Sequence, residues 1–250
     1  MIIRHLGFAL ALMCTMGTAI TFAQVKDHVF GDTTRQAPLR ATEAPPGPLR
    51  GEWGFDFLIS TDGFGLGGFY RRDLTPDIAG VVSLSISESK DPREVDQIDP
   101  FTGVTYTPGK LNRFLVLPLM VGIQYRLFRE DITDSFRPYV NAGVGPSMIY
   151  VMPYADETWD STGTVQMNQV DFFAAIGRGH PRFTGGGFIG LGANFGPTTG
   201  SVMGFNLRYY FMYLMSGSIP SLVNTIDGSL ISTKRDFGGF FITLNIGFGG

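Results

Sequence analysis

Four polar residues, Asp56, Asn206, Arg208 and Asn245, stand out as groups suited to chemistry in a chain rich in glycine and aromatics. A carboxylate, a guanidinium and two carboxamides can neutralise and hydrogen-bond one another away from water, as a polar plug or as a gate that ions cross. The plug is the expected role. A catalytic set is harder to assemble from the remaining residues. His180 in "IGRGHPRF" lies among Arg178, Pro181 and Arg182, where a solvated surface imidazole in a long connection explains it without a general base. No second histidine follows it for a zinc cluster, and no nucleophile elbow is present. The "GGG" at Gly185 to Gly187 leads into alternating strand residues rather than a helix, so it does not read as a phosphate loop. No metal, no cofactor and no enzymatic activity are expected.

The elements that must position the four polar residues read at period two. In "FGGFFITLNIGFGG", Phe240, Ile242, Leu244, Ile246 and Phe248 share one face, and Thr243, Asn245, Gly247 and Gly249 share the other with Phe241. The second face carries no charge, although the outer face of a soluble sandwich or lipocalin-like barrel would. The pattern therefore predicts an inside-out barrel with its greasy face toward lipid. Eight such segments occur after residue 51. "EWGFDFLIS" sets Trp53, Phe55, Phe57 and Ile59 against Asp56, and "MGFNLRYYFMYL" sets Phe205, Leu207, Tyr209 and Phe211 against Asn206 and Arg208. The remaining five are "FGLGGFYRRD", "GVVSLSISE", "RFLVLPLMVGIQYRLF", "RPYVNAGVGPSMIY" and "FTGGGFIGLGANFG". Pro118 interrupts the longest apolar run, and a β-bulge is expected there. The first, seventh and eighth segments become neighbours on closure. Asp56, Asn206, Arg208 and Asn245 then share the lower lumen.

Composition and the N-terminus agree with export. The chain has 250 residues, 16% of them charged, with 34 glycines, 22 phenylalanines and a net charge of -3. No basic stripe exists to neutralise phosphates, which argues against a nucleic-acid partner. "MIIRHLGFALALMCTMGTAITFAQ" has a basic start, an apolar run and small residues before Gln24, as a cleaved signal peptide over residues 1–23 requires. Its run is shorter than the roughly 20 residues of a spanning helix. Cys14 is the chain's one cysteine and would leave with the signal, excluding a disulfide framework from the mature protein. Residues 24–51 carry Pro38, Pro45, Pro46 and Pro48 and read as a flexible arm, leaving 52–250 for the barrel.

The connections alternate in length. "LTPDIA", "REDITDS" and "PTTGS" are short, whereas those around Lys90 to Asn112, Val151 to Arg182 and Met215 to Arg235 are long. An outer-membrane barrel shows this alternation, with short turns on the periplasmic side and an even strand number. In the second long connection, "NQVDFFAAIG" offers Asn168 as an N-cap, Asp171 three residues on and Gly177 as a stop. A short helix there would carry Phe172, Phe173 and Ile176 on the rim, on the membrane surface or as a lid over the mouth.

"RPYVNAGVG", "MGFNLRYYF" and the closing "FGGFFITLNIGF" resemble the small eight-stranded outer-membrane barrels related to the OmpA N-terminal domain, OmpX and OmpW. Such barrels often finish on an aromatic residue, whereas Phe248 here is followed by Gly249 and Gly250. The resemblance implies an all-β, eight-stranded antiparallel up-and-down transmembrane β-barrel in the cell outer membrane. Its implied partners are outer-membrane lipid and lipopolysaccharide, with the long loops open to an extracellular partner. A monomer with a structural or surface-interaction role is expected. The OmpW-like alternative is a narrow channel or carrier for small hydrophobic molecules, with the loop residues lining a hydrophobic site. Lipid A modifying enzymes share the architecture, and His180 is the one residue here that could serve their chemistry.

Overall fold

A computed structural model of the chain describes residues 50–250, apart from 99, 102, 104, 130, 131, 133, 134, 160–164, 197–199 and 250. The signal-peptide segment 1–23 and the arm up to residue 49 lie outside the described residues. Gly51, expected to end the arm, instead opens the first strand.

Eight antiparallel strands close a barrel: β1 (Gly51–Ser60), β2 (Gly63–Asp73), β3 (Ile78–Ser89), β6 (Asn112–Arg126), β7 (Phe136–Pro153), β10 (His180–Phe195), β11 (Gly200–Met212) and β14 (Gly239–Gly249). Around the cylinder they run β1, β14, β11, β10, β7, β6, β3, β2. The eight are neighbours in chain order, so the topology is up-and-down, as the alternating segments require. The connections after β3, β7 and β11 carry the hairpins β4 (Gln97–Ile98) with β5 (Thr105–Tyr106), β8 (Ala155–Trp159) with β9 (Val165–Gln169), and β12 (Ile219–Val223) with β13 (Leu230–Lys234). One helix, α1 (Phe172–Arg178), follows β9.

The tightest turn fixes the register of the first hairpin. Ser60 pairs with Gly63 across Thr61 and Asp62, and Gly63 takes φ +142°, a conformation side-chain-bearing residues rarely adopt. Counting back from this turn pairs Glu52 with Arg71 and Trp53 with Tyr70.

The outer face is apolar along the strands. Phe55, Leu84, Val121, Ile189, Leu191 and Leu244 are all exposed, Val121 at 57%. Aromatics gather toward both ends of this wall, with Trp53, Tyr70 and Tyr125 near the chain ends and Phe64, Phe183 and Tyr213 near the long connections. A continuous apolar wall of this extent on an isolated chain marks a surface that does not face water. Inside, small residues line one side of the cylinder. Ser83, Ser85, Ser87 and Ser89 of β3 are buried, Ser87 and Ser85 against Gly65 and Gly67 of β2. Phe188, Tyr210, Met212 and Phe241 fill from the opposite side.

Two expectations are corrected. The chain makes no bulge at Pro118. Pro118 pairs with Ser147, and after a lapse opposite Gly145 and Pro146 the ladder resumes at Val121 and Val144 in the same register. Pro118 and Pro146, which lack N–H groups, sit on adjacent strands and thin the ladder without shifting it. The second long connection is also shorter than expected. β7 runs on to Pro153 and β10 begins at His180, because His180 to Arg182 keep pairing with Ile149 to Val151.

Gly145 marks the closest approach in the thinned region, where a Cβ would lie 2.0 Å from the carbonyl oxygen of Leu119. Gly145→Ala is expected to destabilise the barrel by about 1–3 kcal/mol, the usual range for overpacking. Urea unfolding in detergent measures it, and an unchanged midpoint would refute the close approach.

Candidate functional site

The lower lumen is built by three adjacent strands. β14 lies between β1 and β11, placing Asn245 opposite Asp56 on one side and Gly204 on the other, with Thr243 between Leu58 and Asn206. Asp56 receives two donors. Asn245 Nδ2 donates to its Oδ1 at 2.5 Å, and Arg208 Nη1 donates to its Oδ2 at 3.4 Å. Arg208 Nη1 also donates to Tyr210 Oη at 3.4 Å, and its guanidinium lies 5.2 Å from the ring centre of Phe188. The arginine thus joins a polar layer to an apolar one. Asp56 and Arg208 are almost wholly buried, so the pair neutralises two charges that water does not reach.

The structure brings Asp56, Arg208 and Asn245 together in this way, and it places Asn206 in the same layer without joining it to them. Asn206 is fully buried beside Thr243, and neither its carboxamide nor the Thr243 hydroxyl has a hydrogen-bond partner among the described residues. A second pair, which sequence reasoning missed, completes the layer: Arg71 Nη2 donates to Glu52 Oε2, directly across the first hairpin. Arg71, Gln124, Tyr139, Asn194, Arg208 and Asn245 leave among them a cavity of ≈ 10 Å³. That is about the space of one water.

Above the polar layer apolar side chains fill most of the lumen. Leu58, Phe114, Val116, Met120, Ile149, Val151, Tyr210, Met212 and Phe241 are buried in one cluster, which continues upward into Leu214, Ile219 and Phe237 of the third long connection. Phe237 meets Phe114 edge-on with ring centres 5.3 Å apart. The long connections then close over this plug. Leu111 N–H donates to Ser221 O at 2.9 Å, Val223 N–H to Gly109 O at 2.8 Å and Tyr154 N–H to Leu111 O at 2.7 Å, so backbone bonds tie all three together.

Charge reinforces the cap. Lys110 Nζ lies 2.6 Å from Glu94 Oε2, with both side chains buried. Asp91 accepts from Ser232 Oγ at 2.6 Å and from Arg93 N–H at 3.0 Å, and Lys234 donates to the carbonyl of Lys90. Burial alone would push the Asp91 carboxyl up. The hydrogen bonds from Ser232, Arg93 and Ser221, with the charge of Lys234, outweigh it and hold Asp91 below its ordinary range.

α1 does not begin where the sequence suggested. Asn168 belongs to β9, its backbone committed opposite Asp156, and the cap is Asp171, whose carboxylate accepts from Phe173 N–H at 2.9 Å and Ala174 N–H at 3.4 Å. The helix runs through Gly177 and stops at Gly179. Ala175 is buried with Met152 and Val170, against Tyr150 and Leu115. Those β6 and β7 residues point outward, so α1 covers the outer wall near the rim and not the mouth. Phe172, Phe173 and Ile176 face away from the barrel. His180, expected in a loop, is the exposed first residue of β10. No hydrogen bond or ion pair reaches its imidazole among the described residues.

No model of a known protein family matches the chain, and no curated protein sequence matches it. Solved structures with a similar architecture include the N-terminal β-barrel domain of Pseudomonas aeruginosa OprF, at 14% identity over 80% of this chain and 97% of that one, with a TM-score of 0.41. Neisserial surface protein A matches at 12% over 80% and 94%, with a TM-score of 0.40. A major outer membrane protein from Thermus thermophilus matches at 12% over 80% and 99%, with a TM-score of 0.46. Likeness at this level does not extend to function.

Arg208→Ala is expected to cost about 3–5 kcal/mol by leaving Asp56 buried and unpaired. The variant's melting temperature in detergent should fall, while Asp56→Leu combined with Arg208→Met should recover most of the loss. An unchanged melting temperature in Arg208→Ala would refute the pair.

The cap has its own pH dependence. A carboxyl held below its unfolded value stabilises above that value, about 3.9 for Asp, and loses the stabilisation as pH falls through its lower folded value. Proteolysis of the connections after β3 and β11 should therefore accelerate below about pH 4. Asp91→Asn should flatten that acid response.

Proposed function

We propose that the chain is an exported, monomeric β-barrel of the cell outer membrane with a structural or surface-interaction role. The observation that carries this reading is the filling of the lumen from end to end inside an apolar outer wall. Ion pairs and carboxamides occupy the lower lumen, apolar side chains fill the upper lumen, and hydrogen-bonded connections close over it. Eight strands enclose little more than their own side chains. Ions would have to displace Arg208 and Asp56 to pass. The lipid and lipopolysaccharide of the surrounding membrane meet the apolar wall, and the capped end is free to meet partners outside the cell. Val95, Ile98 and Phe101 of the first long connection and Ile226 of the third are exposed there. Among the described residues no hydrogen bond or ion pair joins the His180 imidazole to an acid or hydroxyl group of the kind a hydrolytic site would need, which supports a non-enzymatic role.

A second reading, a narrow carrier of small hydrophobic molecules, is favoured by one observation. The β6 to β7 ladder lapses opposite Gly145 and Pro146, at the level of Met120 in the apolar upper lumen. A molecule leaving sideways would pass there.

Two measurements on the membrane-extracted protein separate these readings from each other and from a soluble barrel. The expected result is a heat-modifiable electrophoretic band in the outer-membrane fraction, with no discrete current steps in planar bilayers. Recovery in the soluble periplasmic fraction without a mobility shift would overturn the membrane assignment. Ion-current steps would overturn the closed lumen, and saturable transfer of an apolar probe that Gly145→Ala abolishes would favour the carrier.

A further inference from the structure

α1 presents a surface that the barrel itself does not explain. The seven-residue helix is held at several points: Ala175 is fully buried against the wall, Tyr150 Oη donates to the carbonyl of Ile176 at 2.6 Å, and Arg178 donates to both carboxylate oxygens of Asp156 at 2.9 and 2.5 Å. The Arg113 guanidinium lies 4.8 Å from the Tyr154 ring centre and 6.0 Å from that of Phe172. Held in this way, the helix cannot turn its other face inward. That face carries Phe172 at 43% exposure, Phe173 at 80% and Ile176 at 38%.

The position of the helix identifies what should cover this face. Val140 and Tyr150 are outward residues of β7, ten positions apart. At about 3.3 Å per residue and a tilt near 40°, that separation spans roughly 25 Å of height, the thickness of the apolar band on a barrel of this kind. Tyr150 therefore stands at the upper edge of the band, and α1 is packed against it. Directly below on the same wall, Leu117, Met148 and Phe183 pair across β6, β7 and β10, with Phe183 69% exposed. The exposed face of α1 thus continues the lipid-facing wall at the depth where acyl chains give way to head groups, a depth that aromatic side chains favour.

Building on the membrane reading above, we propose that α1 is an interfacial anchor that seats Phe172, Phe173 and Ile176 in the lipid leaflet surrounding the long-connection end and sets the depth of the barrel. A rigid element on the outer wall resists vertical movement at β6 and β7, next to the thinned ladder. The occupant is the lipid surface itself.

Single cysteines on a Cys14→Ser background test this, since Cys14 is the chain's one cysteine. Phe173→Cys, Val121→Cys and Phe101→Cys are each labelled with a polarity-sensitive fluorophore and reconstituted in phosphatidylcholine vesicles containing lipids brominated at shallow or deep acyl positions. Ile176→Cys serves as a second probe of the helix. The probe at Phe173 should be blue-shifted, lose most of its emission to shallow-brominated lipid and resist aqueous iodide. The probe at Val121 should respond most to deep-brominated lipid, and that at Phe101 to iodide alone. If Val121 responds to lipid while Phe173 and Ile176 respond only to iodide, the anchor is overturned and the membrane barrel stands. If Val121 also fails to respond, the membrane reading itself fails. Shielding of Phe173 that disappears when the protein is diluted in excess lipid would assign the face to a second copy and overturn the proposal.

Discussion

A cylinder whose outside is apolar must satisfy its polar groups on the inside. The backbone does so by closing: every barrel strand has a neighbour on each side, and no free edge remains among the eight. The side chains have to meet the same requirement in a space too narrow for bulk water. Asp56 is the sharpest case, because a lone carboxylate in that space would be costly, and its two donors come from β14 and β11, across the closure point from its own strand. β1 and β14 are first and last in the chain, so the plug forms only once the barrel has closed. The ion pair stabilises the closed form and also depends on it.

This requirement accounts for the layering of the lumen. In lipid there is little hydrophobic gain from moving an apolar side chain from outside to inside, since acyl chains are as apolar as leucine. What the upper plug contributes is close packing and the exclusion of water from above. Its large side chains come from β6, β7, β10, β11 and β14, while β2 and β3 offer glycine and serine on the opposite side, so bulk and space are matched across the cylinder. Arg208 is the hinge between the layers, with one end of its guanidinium on Asp56 and its face over Phe188. The tyrosine hydroxyl of Tyr210 belongs to the apolar cluster by its ring and to the polar layer by its oxygen.

Much of this was legible from period-two alternation, which marks the two faces of a strand without reference to its neighbours. The outward sets of β1, β3, β6, β7, β11 and β14 follow from it, and so does the inward parity of Asp56, Asn206, Arg208 and Asn245. Cross-strand partners need register as well. The register of the first hairpin was recoverable, since a two-residue turn at Thr61 and Asp62 places Arg71 opposite Glu52, but the glycine-rich β2 hid its own parity. The bulge at Pro118 was expected from one proline considered alone. Pro146 on the facing strand removes a second donor, and the ladder tolerates the pair by lapsing in register. The helix start was misread for a similar reason: Asn168 is a good N-cap by type, but the β8 to β9 hairpin had already claimed its backbone. The interlocked cap lay beyond local reading, because contacts such as Lys110 with Glu94 and Asp91 with Ser232 depend on how separate connections fold over one another.

The unequal strand lengths tie the cap and helix back to the closed lumen. β1 ends at a two-residue turn, whereas β7 and β10 rise past it as a paired wall. A paired wall standing above its neighbours would expose both faces. Its inner face is buried by Ile149 and Val151 packing into the plug, and its outer face is covered by Met152 and Tyr150 packing on α1 and Val170. The second long connection is therefore the covering that lets the wall extend, and the wall in turn gives the first connection its anchor through Tyr154, whose hydroxyl accepts from Thr107 N–H at 2.9 Å. The connections can pack over the capped end because the lumen beneath them is full. A wider or emptier barrel would leave the same connections with no floor to pack on.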